Sequence, residues 1–89
     1  AARQAGASTR HRFVYAIALH DLGQPTAAVT ELQGLVRDHP GNEEALLALA
    51  NYTAELGDRQ KAAGDAQQLL RISPQNPQYQ QLYRQLASP

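Results

Sequence analysis

Residues 43–76 read EEALLALANYTAELGDRQKAAGDAQQLLRISPQN, and this stretch predicts two helices joined by a tight turn. Apolar or small residues recur in each half at spacings of three and four, which is typical of one side of an α-helix. In the first half they are Leu46, Leu49, Ala50, Thr53 and Leu56. In the second half they are Ala62, Ala63, Ala66, Leu69 and Leu70.

The residues between and after the two stripes favour a helical hairpin. Gly57 suits the left-handed position that follows a helix, and Asp58 suits the N-cap of the next helix. Pro74 ends the second helix. Residues 43–76 are therefore expected to form one helix–turn–helix unit with an apolar side on each helix.

The same unit occurs earlier in the chain. A shift that carries position 16 onto position 50 gives nine identities within one repeat. The identical pairs include Ala16 with Ala50, Gly23 with Gly57 and Pro40 with Pro74, so they fall at a helix contact, a turn and a helix end. A period of this length is typical of solenoid proteins.

At these residues the chain resembles the tetratricopeptide repeat (TPR) family, from about Thr9 to the C-terminus. The family has a small residue at Ala16 and Ala50, Gly at Gly23 and Gly57, Ala at Ala28 and Ala62, and Pro at Pro40 and Pro74. The resemblance implies an all-α, right-handed solenoid of antiparallel helix hairpins, which is non-catalytic and binds other proteins.

Several residues depart from the family pattern. Arg12 stands where the family has a large apolar residue, and Thr53 stands where it has an aromatic residue or Leu. Ala66 and Leu69 reverse the usual large-then-small order in the second helix, a swap that can conserve volume.

The whole chain divides into two repeats and a terminal helix. We expect a disordered or frayed leader at residues 1–8, repeats at 9–42 and 43–76, and a C-terminal capping helix at 77–89. The first helix is expected to begin near Ser8 or Thr9 and to face inward with Tyr15, Ala16, Leu19 and Leu22. Phe13, Ile17 and His20 form a second stripe on it. Asn76-Pro77 opens the last helix, whose polar side would close the stack.

The family resemblance also implies a binding surface, because the first helix of each repeat lines the concave side of the solenoid. The residues expected there are Phe13, Ile17, His20, Asp21, Leu47, Asn51, Glu55, Gln81 and Gln85. Some TPR domains hold a C-terminal carboxylate with Lys, Asn and Arg on this surface. Only Asn51 matches that set; Phe13, Leu47 and Gln81 stand at the Lys and Arg positions.

The composition excludes several kinds of function. Eight basic and eight acidic side chains cancel, so no overall field favours nucleic acid. Cysteine is absent, which removes disulfides and thiolate chemistry, and no apolar run is long enough to enter a membrane as a span. Cytoplasm and periplasm both remain open. The chain has no Met, even at position 1, which leads us to expect a segment of a longer protein or a processed chain.

Candidate catalytic and metal-binding residues are not arranged as sites. His11 and His20 lie on nearly opposite sides of a helix, His39 lies in a turn, and no HExxH spacing occurs. The serines lie at helix ends without a nucleophile-elbow motif. We therefore expect no catalytic residues, no metal site and no cofactor.

The predicted function is non-catalytic binding of a peptide or partner helix in the concave groove. One alternative is an accessory C-terminal tail that packs in cis within a larger bacterial enzyme or a multihaem-cytochrome-like electron-transfer protein, since FVYAIALHDLGQ (13–24) faintly resembles repeat tails of bacterial multihaem cytochromes. Phe13 and Ile17 would then pack against a preceding repeat or the leader. A third alternative is self-association as a homo-oligomer.

Overall fold

The computed structural model of the protein describes the backbone of residues 5–88 and the side chains of residues 9–88. Within this part of the chain every regular element is an α-helix. The helices are α1 (Ala5–Asp21), α2 (Pro25–Asp38), α3 (Glu43–Glu55), α4 (Arg59–Ile72) and α5 (Pro77–Ala87). Each helix packs against the next in sequence, so that the chain forms a TPR-like helical solenoid.

The helix ends follow the local sequence signals. The side chains of Asn42, Asp58 and Asn76 each accept hydrogen bonds from backbone N–H groups in the first turns of α3, α4 and α5. Gly23 and Gly57 adopt φ angles of 81° and 92° after α1 and α3, a conformation that costs other residues strain. These predicted caps and turns are confirmed.

The hydrophobic core lies in two clusters along the stack. The first joins Ala16 of α1 to Val29, Leu32 and Leu35 of α2 and to Ala45 and Leu49 of α3. The second joins Leu46, Leu69 and Tyr79, so it ties α3, α4 and α5 together. Burial thus joins α3 to the first hairpin and α5 to the second, which is how a solenoid accumulates stability.

Two expectations for α1 are wrong. The helix begins at Ala5, earlier than Ser8, and includes Gly6 although Gly is a poor helix former. Residues 1–4 of the predicted leader lie outside the described residues. Tyr15 and Leu22 do not face inward: they are 55% and 74% exposed, whereas Ala16 is fully buried. Helical spacing shows which residues share a face, but α1 is apolar on two faces and the spacing does not select between them.

Three of the residues that depart from the family pattern, Arg12, Ala66 and Leu69, have physical explanations. Arg12 lies between α1 and α2, where its guanidinium reaches Asp38 at 2.8 Å and Glu31 at 3.7 Å, so an ion pair replaces an apolar contact. Arg12 also holds the pKa of the Asp38 carboxyl below its usual value through their hydrogen bond. Ala66 and Leu69 are both fully buried, which confirms that the reversed order packs.

Candidate functional site

Two adjoining pockets lie on the side of the stack formed by α1, α3 and α5. The pocket between α1 and α3, which we name the apolar pocket, has a volume of about 290 Å³. The pocket between α3 and α5, which we name the amide pocket, has a volume of about 190 Å³. Leu47 and Asn51 belong to both, so the two pockets form one continuous groove across the first helices of the hairpins.

The groove exists because α3 buries one side and leaves the other side available. Leu46, Leu49, Ala50 and Thr53 are directed into the hairpin interior and are nearly inaccessible to solvent. The intervening positions therefore lie on the groove side. The apolar pocket is lined by Phe13, Glu44, Leu47, Ala48, Asn51 and Tyr52.

The amide pocket is chemically different from its neighbour. Its lining residues are Leu47, Asn51, Gln78, Gln81, Leu82 and Gln85. Each Asn or Gln carboxamide carries both a donor and an acceptor, which is the combination that a peptide backbone requires of a partner. No side chain that lines this pocket carries a formal charge. The pocket can therefore bond a neutral polar chain but offers no cation to a carboxylate.

A cluster of polar and aromatic side chains stands at one end of the groove. The His20 ring stacks on the Tyr52 ring, with 3.8 Å between centroids and 4° between planes. His20 Nε2 lies 2.6 Å from Glu55 Oε1, and His20 Nδ1 lies 3.8 Å from Asp21 Oδ1. The hydrogen bond to Glu55 raises the pKa of His20 above its ordinary value. Burial, with help from Asp21 and Glu55, raises the pKa of the Tyr52 phenol.

The residues expected on the groove from sequence fall into three places. Phe13 and Leu47 lie in the apolar pocket, and Asn51, Gln81 and Gln85 lie in the amide pocket. His20, Asp21 and Glu55 belong to the stacked cluster and not to the lining of either pocket. Ile17 is half-buried and lines neither pocket.

Sequence reasoning missed several lining residues, notably Ala48 and Tyr52. A signal was present: Glu44, Ala48 and Tyr52 form a stripe at spacings of four, directly beside Leu47, Asn51 and Glu55. Gln78 and Leu82 are related in the same way to Gln81 and Gln85 on α5. If both neighbouring stripes of each helix had been assigned to the groove, these missed residues would have been predicted.

Hydrogen bonds outside the groove hold its helices at a fixed spacing. The Tyr79 hydroxyl of α5 donates to Glu43 Oε1 of α3 at 2.9 Å, and burial raises the pKa of this phenol. Arg59 of α4 donates to the backbone carbonyl of Gln85. Both ends of α5 are thereby tied to the preceding hairpin.

Other kinds of site are not apparent in the described part of the chain. Among residues 9–88, no group of three His, Asp or Glu side chains is arranged to hold a metal ion. None of the described helices is long and apolar enough to cross a membrane.

The fold and the groove define a helical-repeat protein built from stacked antiparallel hairpins. A family model described as tetratricopeptide repeat matches residues 12–86, and the chain therefore belongs to the tetratricopeptide repeat family. No curated protein matches the chain. TPR proteins are in general non-catalytic modules for protein–protein interaction.

Proposed function

We propose that the chain binds an extended peptide segment of a partner protein along the groove formed by α1, α3 and α5. The apolar pocket takes one large apolar side chain of the peptide, and the amide pocket bonds the peptide backbone beside it. The observation that carries this proposal is the continuity of the two pockets through Leu47 and Asn51.

The apolar pocket supplies the anchor for binding. Phe13, Leu47, Ala48 and Tyr52 give it hydrophobic walls, and about 290 Å³ accommodates one aliphatic or aromatic side chain. Its walls are preformed, because Phe13, Ala48 and Tyr52 also pack against the first core cluster. A preformed pocket spares the ligand the ordering cost that a mobile surface would impose.

The amide pocket supplies orientation. Carboxamides of Asn51, Gln81 and Gln85 can each accept a backbone N–H and donate to a backbone carbonyl. A free C-terminal carboxylate would have to be desolvated there without a cation, which is costly. The groove is therefore expected to select an internal segment of a partner and not its terminus.

The charges around the groove set the preference for the flanks of the peptide. The charged side chains beside the pockets are mainly acidic: Glu44 on the apolar pocket, and Asp21 and Glu55 in the stacked cluster. Glu44 is offset by Arg10 at 3.7 Å, and Glu55 by its bond to His20. Basic flanks are therefore favoured by a modest, salt-sensitive factor over acidic flanks.

The proposal is tested by titrating two peptides into ¹⁵N-labelled protein while amide shifts are followed. Both peptides carry the same apolar anchors; one has lysines on both sides and an amidated end, and the other ends in free acidic residues. The lysine-flanked peptide should bind with a Kd on the order of micromolar or weaker, since the contact area is small. Shifts should concentrate in α1, α3 and α5.

Matched variants separate the groove from the outer surface. Gln85→Ala removes a carboxamide of the amide pocket and should weaken binding severalfold. Gln67→Ala removes an exposed carboxamide from α4, outside both pockets, and should leave the Kd unchanged. Preference for the acidic peptide, shifts confined to α2 and α4, or absence of binding by both peptides would each contradict the proposal.

A further inference from the structure

The surface of α1 that points away from the stack is apolar and exposed. His11, Tyr15 and Ala18 follow one another at spacings of four and three, so they lie on one side of α1. Leu22, the first residue after the helix, extends this side, because its backbone N–H still donates to the Ala18 carbonyl at 2.9 Å. All four residues are exposed. Val14 borders them and is 55% exposed. We name these five residues the end face. Tyr15 and Leu22 are its two largest side chains.

Three of the corresponding residues of α3 are covered, whereas Leu56, which corresponds to Leu22, is 45% exposed. Ala45, Leu49 and Tyr52 of α3 occupy the same repeat positions as His11, Tyr15 and Ala18 of α1. Ala45 and Leu49 are 0% and 3% exposed, and together with Tyr52 they pack on the α2 side chains of the first core cluster.

The last helix repeats the arrangement. Tyr79 of α5 occupies the same repeat position as Ala45 and is buried against Leu46 and Leu69. In both α3 and α5, the residue at this position of the repeat therefore packs against the preceding hairpin. In α1 the residue at this position is His11, which is exposed to solvent.

We propose that the end face is the self-association surface of this chain, where α1 of one copy packs antiparallel against α1 of a second copy about a two-fold axis. In this register Tyr15 faces Ala18 of the partner subunit, so that a large side chain meets a small one. By symmetry each such contact occurs twice. This surface is separate from the groove, so the inference does not depend on the proposed function.

The charges at the two ends of the end face complement each other in the antiparallel arrangement. Arg10 lies near the start of the face; its side chain is 67% exposed and also lies 3.7 Å from Glu44 of α3. Asp21 lies near the end of the face, and its side chain is 74% exposed. An antiparallel pair brings the start of one helix beside the end of the other, so opposite charges approach. A parallel pair would place like charges together.

The opposite end of the stack favours a closed dimer over a head-to-tail chain. The exposed side chains of α5 include Gln81, Arg84 and Gln85, and no large hydrophobic side chain of the described part of α5 is prominently exposed. A head-to-tail contact would press the apolar end face onto this polar surface and would leave one end face open. The two-fold contact covers both end faces.

Sedimentation velocity of the full chain tests the proposal. A contact through one helix per copy is small for a protein interface, so we expect a weak dimer with a Kd of about 10–100 µM. The weight-average sedimentation coefficient should therefore rise between about 5 µM and 1 mM, as expected for a Kd in that range. A chain that remains monomeric throughout overturns the proposal.

Two matched substitutions locate the surface. Leu22→Lys places a charge on the end face and should weaken dimerisation at least tenfold. Leu56→Lys changes the leucine at the corresponding position after α3, which is 45% exposed and lies outside the end face, and should leave the Kd unchanged. Since both leucines are exposed, both variants should keep the helical circular dichroism of the wild type. Equal loss of dimer in both, or in neither, overturns the proposal.

A charge swap tests the antiparallel register. In the proposed dimer residue 22 faces residue 11 of the other copy, so His11→Glu combined with Leu22→Lys should recover much of the affinity that Leu22→Lys loses. Within one copy these positions are about three helical turns apart and cannot pair. Failure of the double variant to recover affinity overturns the antiparallel arrangement.

Discussion

His20 of α1 and Tyr52 of α3 stack face to face, with ring centroids 3.8 Å apart, and Glu55 holds the imidazole from the side at 2.6 Å. The two residues belong to different hairpins, so this contact joins one unit of the solenoid to the next. The stack also fixes Tyr52, which is a wall of the apolar pocket. A titratable group therefore stands at the joint between the hairpins and beside the proposed ligand site.

Stability should depend on the titration of His20. Its folded-state pKa lies above 6.5, so the folded chain binds the proton more tightly than the unfolded chain does. The contribution is therefore fully present below about pH 6.5 and is lost as pH rises through the folded pKa. Urea unfolding should show stability falling across this window, and His20→Gln should flatten the slope. His11→Gln, at an exposed position, is the control and should retain it.

Asp65 should destabilise the fold at neutral pH. Its Oδ2 is buried and has no hydrogen-bond partner among the described residues, and burial raises its pKa from 3.8 to about 6. The carboxyl is only about half-buried, so Asp65→Asn should stabilise the chain at pH 7 by about 1 kcal/mol, well below the full value of the shift. The gain should vanish below about pH 4, where Asp65 is protonated in both states. Destabilisation by this variant at pH 7 would contradict the argument.

Thr53 is expected to tolerate loss of its hydroxyl. The side chain is 3% exposed, and its Oγ1 has no hydrogen-bond partner in the described part of the chain. Thr53→Val keeps the shape and removes a buried polar atom, so it should raise the free energy of unfolding by about 1 kcal/mol. Thr30→Val is the control, because the exposed Thr30 hydroxyl donates to the Thr26 carbonyl. Thermal melts of both variants decide the comparison.

Two leucines of α3 distinguish its buried side from its groove side. Leu49 lies in the first core cluster, and Leu49→Ala should cost about 2–5 kcal/mol. Leu47 is half-buried at the junction of the two pockets, and Leu47→Ala should cost less than half as much. Chemical denaturation measures both. Equal losses would mean that Leu47 serves the core and not the groove.

The terminal helix should be needed for folding. Tyr79 covers Leu46 and Leu69, so a chain that ends at Asn76 exposes the second core cluster. Few repeats then remain to share the stability. We expect this truncated chain to unfold or aggregate, as judged by circular dichroism and light scattering. Gln81→Ala in the full-length chain leaves that cluster covered and should remain folded. A truncated chain that stayed monomeric with an unchanged Tm would refute the capping role of residues 77–89, which stays a prediction.

The sequence by itself determined the repeat, the turns and the helix caps at Asn42, Asp58 and Asn76, but not the start of α1. These features depend on residues close together in the chain: Asn42, Asp58 and Asn76 cap the helices that follow them, and Gly57 adopts a positive φ that few other residues tolerate. Because the hairpins repeat with a constant period, the same local signals recur and reinforce one another.

Only the tertiary structure decided which sides of the helices meet. Tyr15 and Leu49 occupy the same position of the repeat, yet the first is 55% exposed and the second is 3% exposed, because Leu49 packs on α2 and, among the described residues, no hairpin covers Tyr15. The partner of Arg12 and the stacking of His20 on Tyr52 likewise depend on helices that are distant in sequence. Helical periodicity assigns residues to a face, but burial and pairing are properties of two faces in contact, and the second face lies elsewhere in the chain.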